Sequence, residues 1–118
     1  MSGATAPWLG RYYARGASPS LVCYVGSYTH PMGHVPGACG AGVSAYALDE
    51  ATGALSPLCA PLALENPSFL ALAPTRRTLY AALEKCEGDG ALAALALDPA
   101  TGAVARLLNE TTSEGGAP

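Results

Sequence analysis

This sequence predicts an all-β protein, built from a four-stranded antiparallel unit that recurs every 49 residues, Asp49 to Asp98. The recurrence is the first observation behind that expectation. Val43–Leu58, "VSAYALDEATGALSPL", and Leu92–Leu107, "LAALALDPATGAVARL", are identical at nine of sixteen positions, so the echo extends beyond a shared turn. A fixed period of about 40–50 residues marks either propeller blades or helical arrays. Strand patterning is the second observation, and it decides between the two. Short β-branched and aromatic runs such as "LVCYVGSY" (Leu21–Tyr28) stand between Gly, Pro and Asp. The Ala-rich run Ala91–Ala96 has helical propensity but is too short between breakers for a stable helix.

Taken in order, the first unit offers Leu21–Tyr28, Gly42–Leu48 and Leu55–Leu62. Within "VSAYAL", Val43, Ala45 and Ala47 alternate against Ser44, Tyr46 and Leu48, as in a strand with two different faces. The second unit offers Pro67–Ala73, Thr78–Glu84, Ala91–Leu97 and Ala103–Asn109, a complete blade. Asp49–Gly53 and Asp98–Gly102 read as turns, because Asp bonds forward to the backbone and Gly supplies a positive φ. The first unit therefore lacks an inner strand. Pro118 stands 51 positions after Pro67, where a third unit would begin. About two blades cannot close a ring, and the expectation is the front portion of a larger protein.

Composition narrows the class. The chain has 118 residues, half of them hydrophobic, and a net charge of −3. Its six basic residues include only one adjacent pair, Arg76-Arg77, which argues against a nucleic-acid partner. No apolar run approaches the roughly 18 residues of a helical membrane span, so no membrane partner is expected. Residues 1–20 read as a disordered, acid-free leader with Arg11 and Arg15 as its only charges. That leader lacks the apolar core of a secretory signal, so a cytoplasmic location is expected, with a plastid or other organelle as the alternative. The four cysteines, Cys23, Cys39, Cys59 and Cys86, are too far apart for a zinc knuckle and are expected to pack as reduced thiols.

Five collinear segments carry a family resemblance: "YVGSYTH" (Tyr24–His30), "GAGVSAYALDEATGAL" (Gly40–Leu55), "ENPSFLALAP" (Glu65–Pro74), "LYAALE" (Leu79–Glu84) and "ALDPATGAV" (Ala96–Val104). Together they resemble the opening blades of the seven-bladed propeller lactonases, over residues 21–118. That family includes the propeller-type 6-phosphogluconolactonases and, more distantly, carboxymuconate-cyclising enzymes. The resemblance implies seven four-stranded blades, with the missing inner strand of the first supplied by a distant C-terminus. It implies hydrolysis of 6-phosphoglucono-δ-lactone to 6-phosphogluconate in the pentose phosphate pathway, with no metal or organic cofactor. The remaining blades would be the chain's partners, the recognisable catalytic residues would lie beyond Pro118, and the 118-residue chain alone would be inactive. Two departures stand out. Arg76 in "PTRR" occupies a position where the family has Gly, and Leu83 stands before Glu84 where the family tends to Asn. The rival readings are a carboxymuconate-type cycloisomerase and a non-catalytic propeller fragment that only binds.

Candidate site residues follow from hairpin alternation. Successive connections fall at opposite ends of a blade, so Tyr28–Ala41, Ala63–Asn66 and Glu84–Gly90 share one end, with the tail Thr111–Gly116. Mouths of closed β architectures collect ligands, and polar side chains crowd this end. Glu84 reads as a base or the orienter of one, or as a solvated loop carboxylate. Asn66 and Ser68 read as donors to substrate or oxyanion, or as an Asx-Pro turn. Tyr28 and Thr29 read as channel lining or strand-end packing. His30 and His34 have the spacing of a helical zinc pair, but "THPMGHVPG" cannot be helical, and no metal site is expected.

Overall fold

A computed structural model gives the structure, which describes residues 9–12 and 20–113. Among the described residues eight strands form two four-stranded antiparallel sheets. The first contains β1 (Leu9–Tyr12), β2 (Ser20–Gly26), β3 (Val43–Leu48) and β4 (Leu55–Pro57), paired in that order. The second contains β5 (Pro67–Leu72), β6 (Thr78–Leu83), β7 (Ala91–Leu97) and β8 (Val104–Thr112), likewise in chain order. The fold is therefore two antiparallel blades in an open arrangement.

The repeated motif builds the same turn twice. Asp49 accepts hydrogen bonds from the Ala51 and Thr52 amides at 2.9 and 3.4 Å, and Asp98 accepts from Ala100 and Thr101 at 2.8 and 3.4 Å. Thr52 and Thr101 then accept from the amides of Ala54 and Ala103. Gly53 and Gly102 sit at φ 78° and 83°, which a side chain would strain. Local chemistry thus closes both hairpins, and pairing sets β3 against β4 and β7 against β8.

The two sheets stack face to face, and the repeat buries opposite faces in its two copies. From the first sheet Val22, Tyr24, Val43 and Ala45 point into the shared core. From the second come Leu79, Ala81, Leu83, Ala91, Ala93, Leu95, Leu97 and Val104. A wholly buried leucine of this kind contributes about 1.5–3 kcal/mol relative to exposure. The Tyr24 hydroxyl crosses between the sheets and donates to the Gly102 carbonyl at 2.6 Å. Blades stacked side by side require this inversion, because one blade offers its front where the next offers its back.

Several expectations are corrected. Leu9–Tyr12 lies within the stretch read as a disordered leader, yet it pairs along β2 from Leu9↔Cys23 to Tyr12↔Ser20. It occupies beside β2 the place that β5 occupies beside β6, so the first sheet does not lack a strand there. An open strand edge recruits whatever backbone reaches it, with little demand on side chains. The rest of the leader lies outside the described residues. The outer strand expected over Leu55–Leu62 ends at Pro57, and Leu62 returns only as an isolated bridge to Val43. Conversely, β8 runs to Thr112 through two bulges, so Thr111 is strand rather than tail. The thiols are all free but none is buried: Cys39 and Cys86 are exposed, Cys23 and Cys59 half-buried.

Arg76 adopts φ 62° in the β5–β6 hairpin, the conformation that its replacement of a glycine implied. A non-glycine residue there costs roughly 1 kcal/mol. Arg76→Gly is accordingly expected to raise stability by about 0.5–1 kcal/mol, read as a higher urea midpoint at unchanged slope. An unchanged or lower midpoint would contradict the strain.

Candidate functional site

Three connections converge at one end of the sheets, as hairpin alternation requires. Tyr28 follows β2, and Glu84 follows β6, 56 residues away in sequence. The Tyr28 hydroxyl donates to Glu84 Oε2 at 2.5 Å. Ser68, on β5, lies beside both: its hydroxyl donates to the Ala82 carbonyl at 3.5 Å, and its nearness helps to lower the pKa of each. His34 folds back from the long β2–β3 connection to join them. Its Nε2 stands 3.4 Å from Glu84 Oε1 and 3.4 Å from the Tyr28 hydroxyl, and its ring meets the Tyr28 ring edge to face at 5.6 Å.

The electrostatics of the pair are reciprocal. The Tyr28 hydrogen bond, with Ser68 and the nearby His34, holds Glu84 below its ordinary 4.5, although desolvation opposes this. The Glu84 hydrogen bond pushes Tyr28 above its ordinary 10.0, with desolvation and the carboxylate charge adding to it. Glu84 is therefore an ionised carboxylate at neutral pH, held by donors on both sides. Such a group orients hydroxyls, water or an imidazole ring.

Asn66 builds the floor beneath this cluster. It is wholly buried at φ 48°, a left-handed conformation that Asn tolerates better than other side chains. Its Oδ1 accepts from the Thr29 and His30 amides at 2.9 Å each, and its own amide donates to the Thr29 hydroxyl at 3.1 Å. Its carbonyl receives the Glu84 amide at 2.9 Å, and its side-chain nitrogen faces Cys86 Sγ at 3.7 Å. One asparagine thus ties all three connections together. Its amide points inward and its oxygen is already engaged. Thr29 is tied to the same knot, while Tyr28, Ser68 and Glu84 carry the polar groups that face outward.

Glu65 braces the neighbouring connection by accepting the Cys86 amide at 2.7 Å, which holds its carboxyl below the ordinary value. A shallow, open depression lined by Thr29, His30, Ala63, Leu64 and Glu65 adjoins the cluster but includes neither Tyr28 nor Glu84. Among the described residues no three His, Cys, Asp or Glu gather as a metal site.

Against this geometry, a family model described as "Lactonase, 7-bladed beta-propeller" matches residues 22–118. The chain belongs to the seven-bladed propeller lactonases. This lactonase chain also superposes on the crystal structure of a candidate 6-phosphogluconolactonase from Bacteroides uniformis, with TM-score 0.69 and 31% identity. That match covers 84% of the chain and 26% of the solved protein. A second candidate 6-phosphogluconolactonase, from Bacteroides fragilis, matches with TM-score 0.69 and 28% identity over 84% of the chain and 25% of its own. The lactonase chain thus spans about a quarter of the length of these solved proteins. No curated protein matches it.

Two residues of the lactonase chain read differently in three dimensions. Leu83, which stands where the family tends to Asn, has its side chain wholly buried between the sheets. The substitution belongs to the core and takes nothing from the ligand face. His34 joins the cluster from a loop that holds two Pro and two Gly in nine residues, a signal against a helix that carries no information about which way the ring turns.

Proposed function

We propose that this chain contributes two blades and part of the ligand-facing wall to a lactonase that opens 6-phosphoglucono-δ-lactone to 6-phosphogluconate, the remaining blades being its partners. The observation that carries the reading is the Tyr28–Glu84 hydrogen bond with His34 and Ser68 gathered around it, at the end of the sheets where the connections meet. Ring opening of a lactone needs an activated water, donors for a tetrahedral oxyanion and cations for the phosphate. Glu84, fixed as a carboxylate, suits the first need by orienting the water or the base that deprotonates it. Ser68, whose 3.5 Å bond to the Ala82 carbonyl is weak, suits the second as a hydroxyl donor, while Tyr28 keeps its one proton on Glu84. The third is not supplied by an arginine at this end, because Arg76 and Arg77 lie in the hairpin at the opposite end, and Lys85, which does stand here, is engaged by Glu110 at 3.1 Å and Glu65 at 3.9 Å. The phosphate-holding cations therefore belong to other blades.

The test is hydrolysis of 6-phosphoglucono-δ-lactone, followed against its spontaneous opening, by the whole propeller that carries these blades and by the 118-residue chain. Acceleration by the propeller and none by the chain alone is the expected pattern. A propeller that leaves the spontaneous rate unchanged would overturn the reading.

A further inference from the structure

Glu84 has two oxygens, and each is met by a different neighbour. Oε2 accepts the Tyr28 hydroxyl at 2.5 Å, and Oε1 stands 3.4 Å from His34 Nε2. A phenol has one proton, and Tyr28 gives it to the carboxylate. The Tyr28 oxygen, 3.4 Å from the same His34 nitrogen, is left there as an acceptor. Both groups facing Nε2 are thus acceptors, and the tautomer follows. Nε2 carries the proton of the neutral ring, and Nδ1 keeps the lone pair.

The backbone holds the ring where it stands. Met32 and Val35 bond to each other at 3.0 and 2.9 Å, so Gly33 and His34 form the tip of a two-residue turn. The His34 ring meets Tyr28 edge to face, at 88° between planes, which steadies it from one side. Its side chain is nevertheless 58% exposed, against 16% for Glu84, so the imidazole is open to water. His30, the other imidazole of this loop, is held differently: its Nδ1 is engaged by the Thr29 hydroxyl at 2.7 Å.

We propose that His34 is the general base of the lactone opening, with Glu84 as the carboxylate that fixes its tautomer and balances the charge it gains. This rests on the lactonase reaction proposed for the whole propeller. The resemblance placed the recognisable catalytic residues beyond Pro118; this one stands within the chain. Nδ1 takes a proton from water as the water oxygen bonds to the lactone carbonyl carbon, and the carbonyl π pair moves onto its own oxygen. When the carbonyl re-forms, the bond from that carbon to the ring oxygen breaks. The leaving oxygen takes the proton back from Nδ1, and the imidazole ends neutral. One water is consumed, and the product is a hydroxy acid that ionises to solvent. Glu84 accepts no proton at any stage; the 3.4 Å approach tightens while the imidazole is charged.

The test uses the whole propeller that carries these blades, on 6-phosphoglucono-δ-lactone, with spontaneous opening subtracted. His34→Gln keeps an N–H for Glu84 and Tyr28 but removes the base. Its kcat is expected to fall by about 100-fold or more with KM little changed. His34→Gly is expected to lose as much, and to regain rate as free imidazole is added, beyond what imidazole does to the lactone alone. The two residues act as one unit, so His34→Gln combined with Glu84→Gln is expected to be no more than a few-fold slower than either alone. A His34→Gln propeller within a few-fold of wild type would overturn the inference alone, leaving the ring as packing on Tyr28. So would a His34→Gly propeller that imidazole does not restore. A wild-type propeller that opens the lactone no faster than water does overturns the lactonase reading, and this inference falls with it.

Discussion

Replacing Asn66 with alanine is expected to destabilise the fold by about 2–3 kcal/mol, from two lost side-chain hydrogen bonds to part-buried amides and a left-handed alanine. The Thr29 and His30 amides both donate to Asn66 Oδ1, and among the described residues no other acceptor is bonded to either. The Asn66 amide and carbonyl remain, but their geometry depends on φ 48° being held. Against a typical domain stability of about 5–15 kcal/mol, this is a large share. Asn66→Gly separates the causes, since glycine accepts the positive φ and loses only the side-chain bonds, and it should recover about 1 kcal/mol of the alanine loss. Urea unfolding of the three proteins measures both differences. If alanine and glycine variants unfold at the wild-type midpoint, the knot of three connections is incidental.

Glu84→Gln should have the largest functional effect. In the whole propeller, lactone hydrolysis is expected to fall by about 100-fold or more, the usual contribution of a group that activates or orients water. The same substitution has a signature that needs no substrate. With the carboxylate gone, Tyr28 titrates at lower pH, nearer its ordinary 10.0, and a difference titration against wild type isolates it from the other five tyrosines. The signs of the linkage follow from both shifts. Glu84 has a lowered folded-state pKa, so its bond stabilises the fold above 4.5 and is lost as pH falls through the lower folded value. Tyr28 has a raised one, so its share is present below 10.0 and is lost as pH rises through the higher folded value. A moved phenol titration with unchanged hydrolysis would leave Glu84 as part of the wall only.

Much of the site was legible because hairpins alternate. Tyr28, Thr29, Asn66, Ser68 and Glu84 all fall at one end for that reason alone, and the structure does bring them together. What each does there was not legible. Asn66 and Glu84 are both polar residues at strand ends, yet one is sealed under the loops and the other turned outward, which depends on φ 48° at Asn66 and on the crossing of three connections. His34 joins the cluster across fifty positions of sequence, and no local pattern encodes such a contact.

The sequence by itself determined the strands, the two Asp-to-Gly turns and the period that marks them as blades. These are short-range matters: side-chain alternation and a carboxylate two or three residues from the amides it accepts. Only the tertiary structure decided which face of each sheet is buried, that Leu9–Tyr12 joins the first sheet, and that Leu83 serves the core. Shared motif positions cannot encode opposite burial, because burial is a property of the neighbour. Leu92 stays exposed and Val43 is sealed for no reason other than what stands against them.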